Sequence, residues 1–438
     1  MKISLLAPAS DVSRRVGRRA KGTSYFHYYK LGIATIAGAT PPDIEVEAID
    51  EIVDLWDPRT HQTDAVAIST LTALAPRAYA VAAELRARGI PVILGGMHPT
   101  FLPDEAAAHA DALVLGQGEI VWPEVCRDLQ NGNLRKIYDA RGCAPEISVP
   151  PARRDIFHNP KYPPLDIVQF SRGCTHHCRF CSVNAFFDGK YHWRPIAEVE
   201  AELATCKRKH LMIADDNLYG NREYCLQVLT ALAPLRKYLG IQATVEMAFD
   251  REVMDAAKDA RVGAIFVGIE SIVSGSLDES AKWHNDVDKY AEAIDEFHKR
   301  GIFVEGGLMF GFDHDEPDVF AKTFEFVKKI GLDVAQVALV TPMPGTQLFD
   351  RLHEEGRIID RNWAHYDCNH AVFEPTRMSV LELMNGVEWF RKKYYSFAEI
   401  AGRSRAGWRW FDTVTWGTQL ALNWGFRRNH ELGLDYPP

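Results

Sequence analysis

The sequence predicts an α/β protein with two successive sheets: a doubly wound, Rossmann-like domain, then a partial (β/α)6 barrel, then a small, mainly helical C-terminal region. Short, continuously apolar segments such as "AVAIST" and "PVILGG" alternate with amphipathic stretches such as "APRAYAVAAELRARG". This alternation is typical of buried parallel strands joined by helices. It stops once, in a proline-rich stretch at residues 141–164, and then resumes, which predicts a linker between two α/β units.

The domain boundaries follow from where the alternation stops and resumes. We expect the Rossmann-like domain at residues 1–140, the linker at 141–164, the barrel at 165–355 and the helical region at 356–438. The strands of the barrel run from "IVQFSRG" to "VAQVALVTPMPGT". Active residues of such barrels lie at the carboxyl ends of the strands, so we expect the site in those loops.

Composition excludes several classes of protein. The chain has 438 residues, of which 47% are hydrophobic and 25% charged, and its net charge is −9. It has no dense Lys/Arg run, no apolar stretch long enough to span a membrane, and no signal-peptide pattern at its N-terminus. Three of its eight cysteines are clustered and the others are scattered, unlike a secreted disulfide framework. We therefore expect a cytoplasmic protein that binds no nucleic acid.

The clustered cysteines form the most informative motif. The stretch "SRGCTHHCRFCSV" places Cys174, Cys178 and Cys181 at the spacing C-x3-C-x2-C, just after the first strand of the barrel. Three thiolates can hold three irons of a 4Fe–4S cube and leave the fourth iron free for another ligand. The alternatives are zinc with His176 or His177 as a fourth ligand, a closed cluster completed by Cys206 or Cys225, and three unrelated structural cysteines.

This spacing, with the aromatic Phe180 before the third cysteine, resembles the radical S-adenosylmethionine (SAM) superfamily. The resemblance implies that the three cysteines are the catalytic metal ligands of a 4Fe–4S cluster whose open iron binds SAM. One electron, from a donor such as flavodoxin or ferredoxin, would then cleave SAM to a 5′-deoxyadenosyl radical. The segments "IADDNLYGN" and "FVGIES" resemble SAM-binding segments of the family. The residues thereby implied for SAM are Phe180, Asp215, Asp216, Asn217, Thr244, Glu246, Glu270 and Ser271. A helix cap at Asn217 and ordinary barrel lining at Thr244 and Glu246 are the structural alternatives.

The first domain resembles the cobalamin-binding domain of the cobalamin-dependent radical SAM class. It lacks the dinucleotide fingerprint G-x-G-x-x-G after its first strand. Instead it carries "ISTLTALAPRAY", "LGGMHPTFLPDE" and "LGQGEIVWPEV" at the carboxyl ends of its strands, where ligands of doubly wound folds bind. The resemblance assigns cobalamin contacts to Ser69, Thr70, Leu71, Thr72, Gly95, Gly96, His98, Gly116, Gln117, Gly118 and Glu119.

One expected motif is absent. Many cobalamin-dependent methyltransferases use Asp-x-His-x-x-Gly to place a histidine under the cobalt, but here the loop after the second strand reads "DEIVDLWDPRT". His61 follows without the spacing or the glycine of that motif. We predict that no protein histidine ligates the cobalt.

The combined resemblance implies radical methylation of an unactivated carbon in a small, lipophilic or natural-product substrate. The 5′-deoxyadenosyl radical would abstract hydrogen, and the substrate radical would take a methyl group from methylcobalamin. The alternatives are a cyclase or rearrangement enzyme acting on tetrapyrroles without methyl transfer, a radical SAM enzyme with a degenerate cobalamin domain, and a non-catalytic sensor.

The helical tail carries Trp408, Trp410, Trp416 and Trp424 among basic residues. Packing onto the barrel is the simpler interpretation, and a peripheral contact with a membrane or a wall for a greasy substrate is the alternative. Further candidates for substrate contact follow the last strand at His365, Tyr366, Asp367 and Cys368.

Overall fold

The N-terminal half of the protein is built on a six-stranded parallel sheet. The structure, a computed structural model, describes residues 1–19 and 27–434. The strands are β1 (Lys2–Ala7), β2 (Glu45–Asp50), β3 (Ala65–Ser69), β4 (Val92–Gly95), β5 (Ala112–Gly116) and β6 (Ile137–Ala140). Their order is β2-β1-β3-β4-β5-β6, so the direction of winding reverses between β1 and β3. Ligands of doubly wound folds bind at such a switch point.

Helices cover both faces of this sheet. They are α1 (Asp11–Arg19), α2 (Leu31–Ala39), α3 (Ala75–Arg86), α4 (Met97–Phe101), α5 (Pro103–Ala107) and α6 (Gly118–Gln130). Ile3 and Leu5 of β1 belong to one core with Trp122, whereas Leu6 belongs to a second core with Leu85. Burial on both faces is why these strands show no apolar–polar alternation.

The second sheet is an open, partial barrel. Its strands are β7 (Leu165–Val168), β10 (His210–Ile213), β11 (Tyr238–Gln242), β12 (Val262–Glu270), β13 (Phe303–Phe310) and β14 (Val334–Leu339), and neighbours pair in parallel in that order. Between the first two lies a short antiparallel hairpin of β8 (Ser171–Gly173) and β9 (Tyr191–Trp193). The helices are α7 (Ser182–Phe187), α8 (Ile196–Thr205), α9 (Arg222–Leu232), α10 (Arg251–Asp259), α11 (Ser274–Glu279), α12 (Tyr290–His298), α13 (Val319–Ile330) and α14 (Gln347–Glu354).

Three further helices pack against the barrel: α15 (Val380–Tyr394), α16 (Phe397–Gly407) and α17 (Thr413–Glu431). The Tyr395 hydroxyl of the α15–α16 turn donates to the Ala335 carbonyl of β14 (2.6 Å). Asn423 of α17, fully buried, donates from Nδ2 to the carbonyl of Asp333 (3.1 Å). Buried polar groups paired in this way fix the helices in one position. The predicted α/β fold, with its Rossmann-like domain, partial barrel and helical C-terminal region, is thereby confirmed.

Within the part of the chain that the structure describes, no helix is both long and apolar enough to cross a membrane.

Candidate cofactor and active site

The three clustered cysteines lie on the loop that leaves the first strand of the barrel. The β8–β9 hairpin turns the chain at Gly173, whose φ of +76° and contact with the Lys190 carbonyl exclude a side chain there. Cys174 follows directly, and Cys181 is the N-cap of α7. Burial raises the pKa of Cys178 to about 12 and that of Cys181 to about 11. Among the described residues no three His, Cys, Asp or Glu side chains are already arranged around a common metal position.

The residues proposed for zinc or for a closed cluster have other partners. The ring of His176 stacks on that of His284 at 3.6 Å, and its Nε2 lies 3.3 Å from Glu246. Cys206 donates from its thiol to the Glu202 carbonyl (3.7 Å), and Cys225 is fully buried in the core of the barrel. These contacts leave the three loop cysteines as the natural ligand set.

Residues 215–217, after β10, form hydrogen bonds with the chain that leads into the cysteine loop. Asp215 is fully buried and accepts hydrogen bonds from the backbone N–H groups of Phe170 (2.7 Å) and Ser171 (2.9 Å) and from the Ser171 hydroxyl (2.5 Å). Burial outweighs these bonds and raises the pKa of Asp215 to about 7. Asp216 accepts from the Gly173 N–H (2.8 Å). Both carboxylates therefore position the chain that leads into Cys174.

Asn217 faces the first cysteine. Its Nδ2 donates to the Cys174 sulfur (3.5 Å), and it is not the side-chain cap of a helix, because Asn221 accepts from the backbone of α9 instead. Its Oδ1 is buried and has no hydrogen-bond partner among the described residues. An unpaired buried acceptor is costly unless a ligand donor satisfies it.

Glu270, at the end of β12, pairs with a lysine that the sequence analysis missed. Lys282 is buried and its Nζ contacts the Glu270 carboxylate. Burial lowers the pKa of Lys282, but Glu270 and the nearby thiols of Cys178 and Cys181 outweigh it and raise the pKa overall. Glu270 has a φ of +62°, a conformation that is uncommon for a residue with a side chain. No sequence signal distinguishes Lys282 from a surface lysine, since only the fold brings it to the loop.

The remaining residues implied for SAM lie around the same loop. Phe180 packs edge-on against Phe312 (6.1 Å between ring centroids). The Thr244 hydroxyl lies 3.4 Å from the Glu246 carboxylate, which is exposed. Ser271 is buried, and its hydroxyl accepts from the Val273 N–H (3.0 Å). None of these contacts tests a role in SAM binding, which stays a prediction.

In the first domain, the segment after β3 presents both exposed and buried groups at the sheet edge. Ser69 and Leu71 are exposed, whereas Thr70 is fully buried with an Oγ1 that has no hydrogen-bond partner among the described residues. Gly96 has a φ of +102°, and a Cβ there would lie 2.7 Å from the Thr70 carbonyl oxygen. Gly95, before it, makes only ordinary contacts with Val114. Glycine at position 96 therefore lets the ends of β3 and β4 pack closely against each other.

His98 is fully buried. Its Nε2 lies 2.9 Å from the Tyr79 hydroxyl and 3.3 Å from Glu105, and its Nδ1 lies 3.4 Å from Thr72 Oγ1. Burial lowers its pKa, and the nearby Glu105 carboxylate only partly offsets this effect. The side chain is thus engaged in packing within the first domain, beside Trp363 of the segment after the barrel.

The turn at residues 116–119 contacts the barrel. Gly116 has a φ of +79° and lies against the Ala140 backbone, and Gly118 begins α6. Arg172 of β8 donates from Nη1 to Gln117 Oε1 (2.9 Å) and to the Glu119 carboxylate. The Arg172 and Glu119 side chains are only 12% and 8% exposed. Gln117 and Glu119, both assigned to cobalamin from the sequence, are therefore bonded to the residue two positions before Cys174, and Arg172 is a second functional residue that the sequence analysis missed.

The carboxyl edges of the two sheets face one cavity of about 1400 Å³. The first domain contributes the segments after β1, β3 and β4, and the barrel contributes the end of β14 and Ser182, which follows the third cysteine. The segment after the barrel completes the wall with residues that include His365, Tyr366, Asp367 and Cys368. The candidate substrate residues of the sequence analysis thus lie in the same cavity as the cobalamin edge.

Comparison with known proteins matches each half of this arrangement separately. The family described as the radical SAM superfamily matches residues 168–327, and the family described as the B12 binding domain matches residues 20–125. The chain therefore carries a radical SAM domain and a B12-binding domain. This confirms the resemblance inferred from the cysteine spacing and the strand-end segments.

Two curated relatives are similar over most of this chain. Both are from Chlorobaculum tepidum: the bacteriochlorophyllide d C-12(1)-methyltransferase, 27% identical over 80% of this chain and 79% of that protein, and the C-8(2)-methyltransferase, 26% identical over 92% and 95%. Among solved structures, the radical SAM methyltransferase TsrM from Kitasatospora setae with cobalamin and [4Fe-4S] cluster bound has a TM-score of 0.66 at 12% identity, covering 99% of each chain. The latter similarity is one of fold.

The side chains present suit the three groups that this family implies. The donor set of Cys174, Cys178 and Cys181 suits three irons, and the unpaired Asn217 Oδ1 beside Cys174 suits a ligand ammonium. At the edge of the B12-binding domain, the unpaired Thr70 hydroxyl suits a polar group of a ligand. The protein is therefore equipped for a 4Fe–4S cluster, SAM and cobalamin.

Proposed function

We propose that this protein is a cobalamin-dependent radical SAM methyltransferase that acts on an unactivated carbon of a lipophilic small molecule. The observation that carries the proposal is the cavity of about 1400 Å³, which the carboxyl edge of the B12-binding domain lines together with the end of β14 and with Ser182, the residue directly after Cys181. A methyl donor on one side and a hydrogen-abstracting centre on the other can reach one substrate only if they share a cavity. The methyltransferase names of both relatives support this assignment.

Some residues of the site would bind the cofactors, and others position the loop that carries the cysteines. Cys174, Cys178 and Cys181 would hold the cluster, and Asn217 with the Glu270–Lys282 pair would hold the polar end of SAM. When bound, the cluster with SAM supplies a 5′-deoxyadenosyl radical and cobalamin supplies a methyl group. The protein orients these groups and excludes water, and Asp215 and Arg172 do so by fixing the backbone that leads into the cysteine loop.

The lining of the cavity supports a lipophilic substrate. Apolar side chains enter it from the first domain at Leu71, Met97 and Phe101 and from the far wall at Leu339 and Met343. Pockets for small molecules are typically apolar with a few polar groups that fix orientation. Here the polar groups come from the segment after the barrel, from the first domain at residues such as Arg14 and Arg77, and from α15 at residues such as Glu388.

We further propose that no histidine of the protein ligates the cobalt. His61 is held by Glu47 (2.7 Å) and Ser4 (2.9 Å), below the sheet edge at which the ligand is expected. Nitrogen hyperfine coupling in the EPR spectrum of the cob(II)alamin form would contradict this proposal. In that case His365 and His370, which line the cavity, are the candidates, and replacing each by Phe would identify the ligand.

The proposed setting is a reducing cytoplasm, which the eight free cysteines support. Because the cluster must receive one electron for each SAM cleaved, a flavodoxin or ferredoxin is the proposed donor. The proposed domain division is 1–140, 141–164, 165–355 and 356–438, since the first sheet ends at Ala140 and the second begins at Leu165.

The test is anaerobic reconstitution of the full chain with iron, sulfide and hydroxocobalamin, followed by incubation with SAM bearing a CD3 group, a reductant and a panel of lipophilic substrates. A methyltransferase forms 5′-deoxyadenosine and S-adenosylhomocysteine together and adds a CD3 group to the product, which mass spectrometry detects. The Cys178→Ala variant is the matched control, because it removes one cluster ligand and leaves the first domain intact.

The outcomes separate the competing functions. 5′-Deoxyadenosine with a product that lacks CD3 would favour a cyclase or rearrangement enzyme. SAM cleavage without bound cobalamin would indicate a degenerate first domain, and binding of the cofactors without turnover would favour a sensor. Each of these results would overturn methyl transfer.

A further inference from the structure

The C-terminal helices present an aromatic surface to solvent. On α16, Phe397, Arg405 and Trp408 follow one another at spacings of eight and three residues, which places them on one face of the helix. The buried residues Ile400, Ser404 and Gly407 lie on the neighbouring face, about 90° around the helix axis. Phe397 and Trp408 are 60% and 63% exposed. This helix therefore has two faces, and its aromatic residues are on the outer one.

Helix α17 extends the same surface. Its Trp424 contacts Phe397 (5.3 Å between ring centroids), and its Trp416 contacts Trp408 (4.9 Å). Because the early residue of one helix meets the late residue of the other, the two helices run antiparallel, and the rings form two contacting pairs, one near each end of the helix pair. We call Phe397, Trp408, Trp416 and Trp424 the aromatic seam. Trp424 is 44% exposed, so the seam is open to solvent at both ends.

The charge around the seam is opposite in sign to that of the whole protein. Residues 389–428 contain eight Lys or Arg and two Asp or Glu, a net charge of +6 in a chain whose net charge is −9. The Arg427 guanidinium lies over the Phe397 ring at 4.0 Å, and Arg405, Arg409 and Arg428 are exposed. Scattered single aromatic residues on a surface are ordinary, but two contacting aromatic pairs flanked by arginines indicate an interaction surface.

We propose that the α16–α17 surface docks onto the headgroup region of an anionic lipid bilayer. Tryptophan favours the membrane–water interface, and each basic residue near an anionic surface adds about 1 kcal/mol of attraction. The aromatic seam enters the interface, and the surrounding arginines bind lipid phosphates. The contact is peripheral, with both helices lying in the plane of the surface.

Docking there brings the cavity close to the bilayer. His430 at the end of α17 and Gly433 just after it line the cavity, six and nine residues beyond Trp424. Met384 and Val387 of α15 line the same wall. A lipophilic substrate could then pass from the bilayer to the site without crossing water. This last step rests on the proposed function, whereas the docking does not.

The test is flotation of the purified full chain with vesicles of phosphatidylcholine alone or with 30% phosphatidylglycerol. The wild-type protein should bind the anionic vesicles at least ten-fold more strongly, and 0.5 M salt should weaken the binding because it screens the arginines. The triple variant Phe397→Ser, Trp408→Ser, Trp424→Ser should lose at least ten-fold. The Leu55→Ser variant, at an 88% exposed leucine of the first domain, is the matched control and should bind like the wild type.

Three results would overturn the proposal: no binding of the wild type to either vesicle, equal binding by the triple variant, or a wild-type dimer that the triple variant abolishes without any vesicle binding. Cleavage of SAM in detergent solution should be the same in the triple variant and the wild type. If vesicle binding is found and methyl transfer is not, the docking stands and the proposed function fails.

Discussion

The bond between Arg172 and the B12-binding domain makes a measurable prediction. Replacing Arg172 with Met keeps the length of the side chain but removes its hydrogen bonds to Gln117 and Gln169 and its ion pair with Glu119. The Glu119 side chain, 8% exposed, is then left buried without its partner. Removing one member of a buried ion pair costs about 3–5 kcal/mol.

This cost converts into a shift of the melting temperature. An unfolding entropy of about 2.1 cal/mol/K per residue gives about 0.9 kcal/mol/K for the full chain. We therefore expect the Arg172→Met variant to melt about 3–5 °C lower, or about twice that if only one domain unfolds in the transition. Differential scanning calorimetry of the anaerobically purified protein measures the shift.

A double-mutant cycle with Glu119→Gln separates the pair from other effects of the substitution. Because both single changes break the same ion pair, the double variant should melt no more than about 1 °C below the less stable single variant. The control is Glu124→Gln, also on α6, whose partner Arg135 is on the surface with both side chains about half exposed. A surface pair contributes about 0–1 kcal/mol, so this variant should melt within about 1 °C of the wild type. If the melting shifts of the two single variants add in the double variant, the reasoning is refuted. It is also refuted if the Arg172→Met variant melts at the same temperature as the Glu124→Gln control.

Three further predictions concern single side chains. The Thr70→Val variant should bind cobalamin about ten-fold more weakly without lowering the melting temperature of the free protein, because the Thr70 hydroxyl has no hydrogen-bond partner among the described residues. Equilibrium dialysis measures the affinity and calorimetry the melting temperature. An unchanged affinity would remove Thr70 from the cobalamin site. The Gly96→Ala variant should be destabilised by about 1–3 kcal/mol, because alanine is strained at a φ of +102° and its Cβ would meet the Thr70 backbone, and urea unfolding should show the loss. Burial raises the pKa of Asp50, but the hydrogen bond and charge of His27 outweigh burial and lower the pKa overall. The Asp50 carboxylate therefore stabilises the fold above about pH 4, and this stabilisation is lost as the pH falls below that value. The Asp50→Asn variant should therefore show a smaller fall in melting temperature between pH 5 and pH 3 than the wild type, and an equal fall would contradict the assignment.

Features that depend on residues close together in the chain could be predicted from the sequence. Cys174, Cys178 and Cys181 occupy one short loop, so their spacing restricts the geometry before any tertiary contact forms. The apolar strands and the interruption at 141–164 predicted two α/β units because burial on both faces leaves a local pattern. The resemblance of both domains to known families followed from the same local segments.

Features that depend on distant residues were decided only by the tertiary structure. Arg172 and Glu119 are 53 residues apart, and each alone is an ordinary charged side chain. Lys282 reaches Glu270 only because the loop after β12 folds back over the cysteines. The C-terminal helices also show that local pattern does not fix tertiary contacts. Helical spacing predicted that their tryptophans pack onto the barrel. Trp410 and Trp416 do so in part, whereas Trp408 and Trp424 are exposed. A local pattern determines which face of an element is apolar, but which distant element covers that face depends on how the whole chain packs.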